Sequence, residues 1–416
     1  MRNIHGLFRC ALLGSALALA ALAPAAGADA SREQMKRIRA IEGNHAPASA
    51  LKSGASRAGA TGSTYTVLHK FLGGAGDGSG SGANVTLDDA GNIYGTTDFG
   101  GAHGDGAVFR LAPDGTQTLL YSFAGNDGSA PDGGVIVMPN GDLYGTAGSG
   151  GAGGNGVLFK LKANGKYKVL HDFSATDGSF IRGDLIRDKL GNFYGTALFG
   201  GVNGDGTVFK FGFDGTFTVL HAFNGSDGEF PEHGVVSDKD SNLYGVTAFG
   251  GADDNGAVYK IAADGTFSTL YSFTGGADGG FLYGGLDVDA VGNLYGSTVD
   301  GGANGAGTVF KLSPQGSLTT LYNFTGGADG GSPEGDMLLV GKSLFSVATI
   351  GGDAGCQCGA VYEVKASGKE KVLHAFTGTD GSGYSAGVTA SHGVLYGTTQ
   401  SGGTNNNGVV FSATKP

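Results

Sequence analysis

A chain of 416 residues with 84 glycines and no tryptophan, in which 37 acidic residues face 26 basic ones, carries a formal net charge of −11. A surface of that sign repels phosphate backbones and anionic bilayers, which argues against nucleic acid and acidic membranes as partners. Beyond residue 30 no stretch approaches the roughly 18 consecutive apolar residues of a spanning helix, so no membrane insertion is expected.

At the start of the chain, Arg2 and Arg9 precede the apolar run ALLGSALALAALAP and then AAGADA, which offers Ala-x-Ala cleavage points after Ala28 or Ala30. This is the pattern of a secretory signal peptide, assigned to residues 1–28, and it directs the protein to the periplasm or the extracellular space. Cys10 falls inside the signal, and its neighbours Phe8 and Arg9 do not suit lipid attachment. Residues 29–64 hold one short helix-compatible piece bearing Arg32, Lys36, Arg37 and Arg39, then become rich in Ala, Ser and Gly. They read as a flexible tether.

From residue 65 to 416 one unit repeats. Its central aromatic falls at Tyr94, Tyr144, Tyr194, Tyr244, Tyr295, Phe345 and Tyr396, a spacing of 50 or 51 residues. Each copy contains four short apolar stretches with strand character: one like GVVSD (234–238), then LYGTT, then GTVFKL after a glycine-rich loop, then VLHAF. Between the third and fourth stand Asp114-Gly115, Asn164-Gly165, Asp214-Gly215 and Asp264-Gly265, dipeptides that supply the positive φ angles of tight hairpins. Three hairpins in series make a four-stranded antiparallel meander. Both faces of that sheet are apolar, as Val208, Phe209, Leu220 and Phe223 illustrate, so neighbouring copies must cover it. Radial repetition is the solution that fits this period, whereas β-helix coils are about half as long.

The two ends decide between a ring and a stack. YTVLHKF (65–71) is a fourth strand that arrives before any first, second or third, and the last unit stops after its third strand, NGVVFSAT (407–414). The expected fold is therefore an all-β, seven-bladed β-propeller of four-stranded antiparallel blades, closed by the N-terminal strand completing the last blade.

The run NFYGTALFGGVNGDGTVFKF (192–211), matched by NIYGTTDFGGAHGDGAVFRL (92–111), resembles the repeat of a bacterial choice-of-anchor tandem-repeat family called GloVer. The resemblance covers residues 65–414. It implies an exported cell-surface or extracellular propeller, supplies no catalytic residues, and often comes with a C-terminal sorting anchor. This chain ends at Pro416 without that anchor.

Repeated polar residues and unrepeated ones carry different meanings. The His of VLH (His69, His171, His221, His374) is replaced by Tyr121, Tyr271 and Tyr322 in the other blades, an exchange no metal site tolerates, so these are packing residues. An Asp-Gly follows each fourth strand, at Asp77, Asp127, Asp177, Asp227, Asp278, Asp329 and Asp380. Such an Asp ordinarily caps its own turn. The competing reading is calcium held by Asp177, Asp227, Asp278 and Asp329, although each loop offers a single assured carboxylate against the six to eight oxygens calcium takes. No other cofactor is called for.

Asymmetry is the better guide to a site. Phe180, Arg182, Asp184, Glu229, Phe230, Glu232, His233, Phe281, Tyr283 and Tyr384 are large residues without counterparts in every copy, in loops that propeller connectivity places on one face. Phe99, Phe199 and Phe249 adjoin them, and Asn84, Asp184 and Asp336 replace Gly at the start of the innermost strands. The ligand-binding set nominated is Phe180, Arg182, Asp184, Phe230, His233, Phe281, Tyr283, Asp336 and Tyr384. Aromatic platforms with a few carboxylates at a channel mouth suit a carbohydrate, and the bland alternative is that each aromatic tucks between neighbouring loops. Cys356 and Cys358, in GGDAGCQCGAVY, form either a small loop disulfide or a redox pair.

The sequence thus points to a secreted, monomeric binding module for an extracellular glycan or a surface protein. The alternatives are a polysaccharide-degrading enzyme, lyase more than hydrolase, and a structural or adhesion protein that binds nothing small.

Overall fold

The computed structural model describes residues 63–352 and 355–414; the expected signal peptide and nearly all of the expected tether lie outside the described residues. Seven antiparallel blades follow one another along the described residues, with a small two-stranded pair of Gly78–Ser79 and Phe99–Gly100 beside the first, and among the described residues there is no helix. Blade 3 is representative. Its strands Ile186–Arg187, Phe193–Ala197, Thr207–Phe211 and Phe217–Ala222 pair in sequence order from the innermost to the outermost. Blades 1, 2, 4 and 5 repeat this order, beginning at Thr86, Ile136, Val236 and Asp287. Blade 6 comprises Leu338–Val340, Ser343–Ile350, Ala360–Lys365 and Glu370–Ala375, with Gly331–Pro333 added beside its long second strand.

Blade 7 takes Val388–Ser391, Val394–Thr399 and Val409–Thr414 from the C-terminal end and Tyr65–Lys70 from the N-terminal end. The closing strands pair Tyr65 with Ala413 and Lys70 with Val409. The ring expected from the unmatched ends is therefore present, and the first and last segments hold each other.

Why these residues build a blade follows from burial on both faces. In the second strand every residue from Leu243 to Thr247 is buried, and the third strand from Ala257 to Ile261 buries all but Lys260. The repeated YGT motif places a glycine opposite the aromatic of the third strand: Gly195 pairs with Phe209. A Cβ on Gly195 would lie 2.7 Å from that ring, so only glycine lets Phe209 fold over its own sheet. Phe209 is fully buried, as are Phe223 and Tyr259, and Val208 and Phe223 of blade 3 pack with Val235, Leu243 and Ile261 of blade 4. Each such side chain contributes about 1.5–3 kcal/mol by leaving water.

The outer edge explains the exchange of His for Tyr. A register shift in each third–fourth pairing, as between Val208 and Phe209, adds one residue to the outer strand and re-aims its ring. His221 then stacks on Phe267 of the next blade at 3.6 Å, His171 on Phe217 at 3.8 Å and Tyr121 on Tyr167 at 4.1 Å. Across the closure, His374 stacks on Tyr65 at 3.6 Å. The same rings bond the Asp of the following turn. His221 Nε2 is 3.0 Å from Asp227, His171 Nε2 is 3.1 Å from Asp177, and the Tyr271 and Tyr322 hydroxyls donate to Asp278 and Asp329 at 3.1 and 2.8 Å. A flat ring with one donor is what the slot requires, and both residue types supply it.

At the opposite end of the blades, Asp88, Asp188, Asp238 and Asp289 cap the turn between first and second strands. Asp238 accepts from the Asp240 and Asn242 amides, from Asn242 Nδ2 and from the Tyr244 hydroxyl. Burial pushes its pKa up, but those four donors outweigh it and hold the carboxyl below its usual range. A depressed folded-state pKa gives stability that is present above the unfolded value of about 3.9 and lost as pH falls through the folded one. Asp238→Ala is expected to cost about 1 kcal/mol at pH 7 and progressively less below pH 4, read from urea unfolding at the two pH values.

Candidate functional site

Just before each of the seven first strands lies an equivalent position, occupied by Asn84, Gly134, Asp184, Gly234, Gly285, Asp336 and Gly387. Adjacent innermost strands approach backbone to backbone there, and a Cβ on Gly234 would lie 2.1 Å from the Asp184 carbonyl oxygen. The three residues with side chains come from blades 1, 3 and 6 and meet. Asn84 Nδ2 donates to Asp184 Oδ2 at 3.0 Å and to Asp336 Oδ2 at 2.6 Å. The Gly134 and Gly285 amides donate to the other oxygens of Asp184 and Asp336, each at 2.6 Å. Side chains from such distant blades can share a bond only near the ring axis, so they plug the channel with a polar knot.

A second layer lies just outside it, built from residues one to three positions earlier in the same segments and from Asp98 and Gln400, which follow second strands. Arg182 donates from Nε to Asp132 at 2.5 Å and from a terminal nitrogen to Glu232 at 2.9 Å, tying blades 2, 3 and 4 together. His233 Nδ1 is 2.7 Å from Asp336 Oδ1, and its Nε2 is 3.0 Å from the Tyr384 hydroxyl of blade 7. Gln400 donates to Asp98 at 3.0 Å, and Asp98 contacts Asp132.

The electrostatics follow from burial and pairing. Burial and the Asp336 charge push Asp184 up. Asp336 is also pushed up by burial, but His233 and the amide donors outweigh that and hold it below the usual carboxylate range. Burial disfavours the His233 imidazolium, yet Asp336 and Glu232 outweigh it and raise the pKa. Both ring nitrogens of His233 are engaged, Nδ1 by Asp336 and Nε2 by the Tyr384 hydroxyl. Burial raises Asp98 strongly, and the neighbouring Asp132 adds to it. Burial also pushes Glu334, beside Thr349, up to about 7.

Aromatic residues flank this polar set on blades 3 to 5. Phe180, Phe230 and Phe281 occupy one repeated loop position with φ of 56°, 57° and 58°, a left-handed conformation unusual for so large a residue. Their rings alternate with Phe199 and Phe249 at centroid separations of 5.2 to 5.9 Å, forming a continuous edge-contacting row. Phe180 and Phe230 are buried in that row, so they hold neighbouring loops together. Phe281, Tyr283 and Tyr384 are partly exposed and supply the accessible aromatic surface.

Of the nominated residues, Arg182, Asp184, His233, Asp336 and Tyr384 come together at the channel mouth, with Phe281 and Tyr283 beside them. Asp98, Asp132, Glu334 and Gln400 belong to the same network and were missed. For Asp98 and Gln400 the signal was a break with the sister copies, as Asp98 breaks with Gly148, Leu198 and Ala248, while Asp132 and Glu334 share an acidic residue with Glu232 at one repeated position. The Asp-Gly carboxylates stand apart from this network. Asp177 bonds His171 and the Ser174 amide, and Asp227 bonds His221 and Asn224. Asp278 and Asp329 accept from Thr274 and Thr325 besides the tyrosines. Among the described residues no group of three or more His, Cys, Asp or Glu is arranged to hold a metal ion. Cys356 and Cys358 are joined by a disulfide in the loop between the second and third strands of blade 6.

The model of the Gloeobacter/Verrucomicrobia repeat matches the sequence twice, over residues 52–241 and 233–416. No curated protein sequence matches it. Among solved structures, a streptogramin B lyase is similar with a TM-score of 0.51 at 13% identity, covering 84% of this chain and 97% of the other. A puromycin hydrolase S511A mutant is similar with a TM-score of 0.52 at 12% identity over 77% of this chain and 50% of the other. Identities this low establish a common fold and nothing about chemistry.

Proposed function

The chain belongs to the Gloeobacter/Verrucomicrobia repeat family, and from that premise we propose that it is an exported propeller that binds an extracellular glycan at the channel mouth. One observation carries the reading: the departures from sevenfold repetition gather at one end of the channel, as a polar network whose charged groups are cross-linked but which keeps buried oxygens of Asn84, Asp98 and Asp132 without a partner, beside partly exposed aromatic rings. Hydrogen-bonding groups next to an aromatic surface are the recognition chemistry of a sugar, whose hydroxyls and apolar ring face both need partners.

The pairing also argues for an uncharged ligand. Arg182, the cation a uronate would require, is already engaged by Asp132 and Glu232. Asp336 likewise holds His233. This weakens the polyuronate-lyase alternative. A hydrolase reading fares no better, because the Asn84 amide fills the space between Asp184 and Asp336 where a scissile bond would have to lie.

A thermal-unfolding screen against neutral and acidic polysaccharides tests the proposal, since a ligand of the folded state raises the transition by mass action. A neutral glycan is expected to raise it. Release of reducing ends or unsaturated products from any member of the panel would favour an enzyme instead.

A further inference from the structure

The seven loops between second and third strands close with the same backbone bond, with or without sulfur, although the blade 6 loop, Gly351 to Gly359, is two residues longer than its sisters. In each, the amide of a closing glycine bonds back to the first glycine of the loop, as Gly256 does to Gly250 and Gly359 to Gly351, both at 3.1 Å. Two positions before the closing glycine the backbone is always left-handed: Gly104, Gly154, Gly204, Asp254 (φ 59°), Gly305, Gln357 (φ 59°) and Asn406 (φ 58°). The residues flanking that position are linked in two sister loops by a hydrogen bond. Asn155 Nδ2 donates to the Gly153 carbonyl at 3.0 Å, and Asn255 Nδ2 to the Asp253 carbonyl at 2.6 Å. In blade 6 the same two-residue span is linked by the Cys356–Cys358 disulfide.

The backbone therefore adopts this conformation six times without a covalent link, and one asparagine hydrogen bond does the linking where any is present. The left-handed turn before the closing glycine therefore does not depend on a disulfide. The disulfide sits on the face that carries the channel mouth, with Cys356 exposed and Cys358 buried. Accessibility to an attacking thiolate, with no structural dependence on the bond, is the condition for exchange chemistry.

We infer that Cys356 and Cys358 form a reversible thiol–disulfide exchange site that takes two electrons from thiols reaching the mouth face. A thiolate attacks the exposed Cys356 sulfur, the Cys356–Cys358 bond breaks, and Cys358 leaves as a thiolate that takes up a proton. A second thiol then attacks the mixed disulfide at its own sulfur partner, releasing Cys356 as a thiol, and the reductant departs as its disulfide.

The test equilibrates the full chain in glutathione buffers from fully oxidised to fully reduced, traps free thiols with iodoacetamide, and counts them by mass. The pair is expected to convert completely and reversibly within that range. The oxidised and reduced forms should melt within about 1 °C of each other, and Cys358→Asn, which restores the residue of blades 2, 4 and 7, should melt with them. A pair that stays oxidised in fully reduced glutathione overturns the inference. So does a fall of more than about 3 °C on reduction or in Cys358→Asn, because the bond would then be a staple.

Discussion

Glu334→Gln is expected to make the protein about 3 kcal/mol more stable at pH 8 while leaving its stability near pH 4 unchanged. Glu334 is 4% exposed, and burial, with Glu232 adding to it, pushes its pKa up to about 7. A carboxyl whose pKa is raised on folding keeps a proton that the unfolded chain releases. Its stabilisation is complete below the unfolded value of about 4.3 and is lost as pH rises through the folded one. Glutamine keeps the shape and the acceptor for Thr349 and cannot ionise, so the loss disappears. Asp98, Asp184, Glu232 and His233 are also raised, and each contributes a pH dependence of the same sign. The turn-capping carboxylates act in the other direction, below about pH 4, so the wild type should be most stable in mildly acidic solution. Chemical unfolding of both proteins from pH 4 to 8 reads this directly, and parallel profiles would contradict it.

Arg182→Met is expected to destabilise the protein by about 3–5 kcal/mol, because it leaves two carboxylates buried without their cation. The triple variant Arg182→Met, Asp132→Asn, Glu232→Gln removes all three charges and should recover most of that loss. Urea unfolding of the two variants separates the cost of stranding Asp132 and Glu232 from any cost of losing the arginine stem. Equal losses in both would assign Arg182 a packing role.

The architecture was legible because it is written many times. Apolar stretches at a fixed period, Asp-Gly hairpins and the two unmatched ends specify a closed ring of four-stranded blades, and Tyr65–Lys70 pairs where the count required. The His and Tyr alternation was readable as packing, but its stacking partner lies in the next blade, at Phe217 for His171, and periodicity within one unit does not reveal it. The channel mouth was partly legible. Asymmetric residues such as Arg182, His233 and Tyr384 stood out against their copies, yet Tyr384 bonds His233 across 151 positions of sequence, a contact only ring closure creates. Phe180 and Phe230 looked like ligand platforms because their size is exceptional in the loop. Their rings instead fill the gap beside Phe199, which frees the residues around them to form the mouth.

Isothermal titration of the protein with neutral oligosaccharides and with oligouronates, for the wild type, Tyr384→Phe and Tyr283→Ala, addresses the binding proposal most directly. Saturable binding of a neutral sugar is expected, weakened about tenfold by Tyr384→Phe through the loss of one hydrogen bond, with weaker binding of the uronates. If no neutral sugar binds, or if binding is indifferent to both tyrosines, the channel mouth is not a glycan site, and the paired network there serves only to hold the ring together.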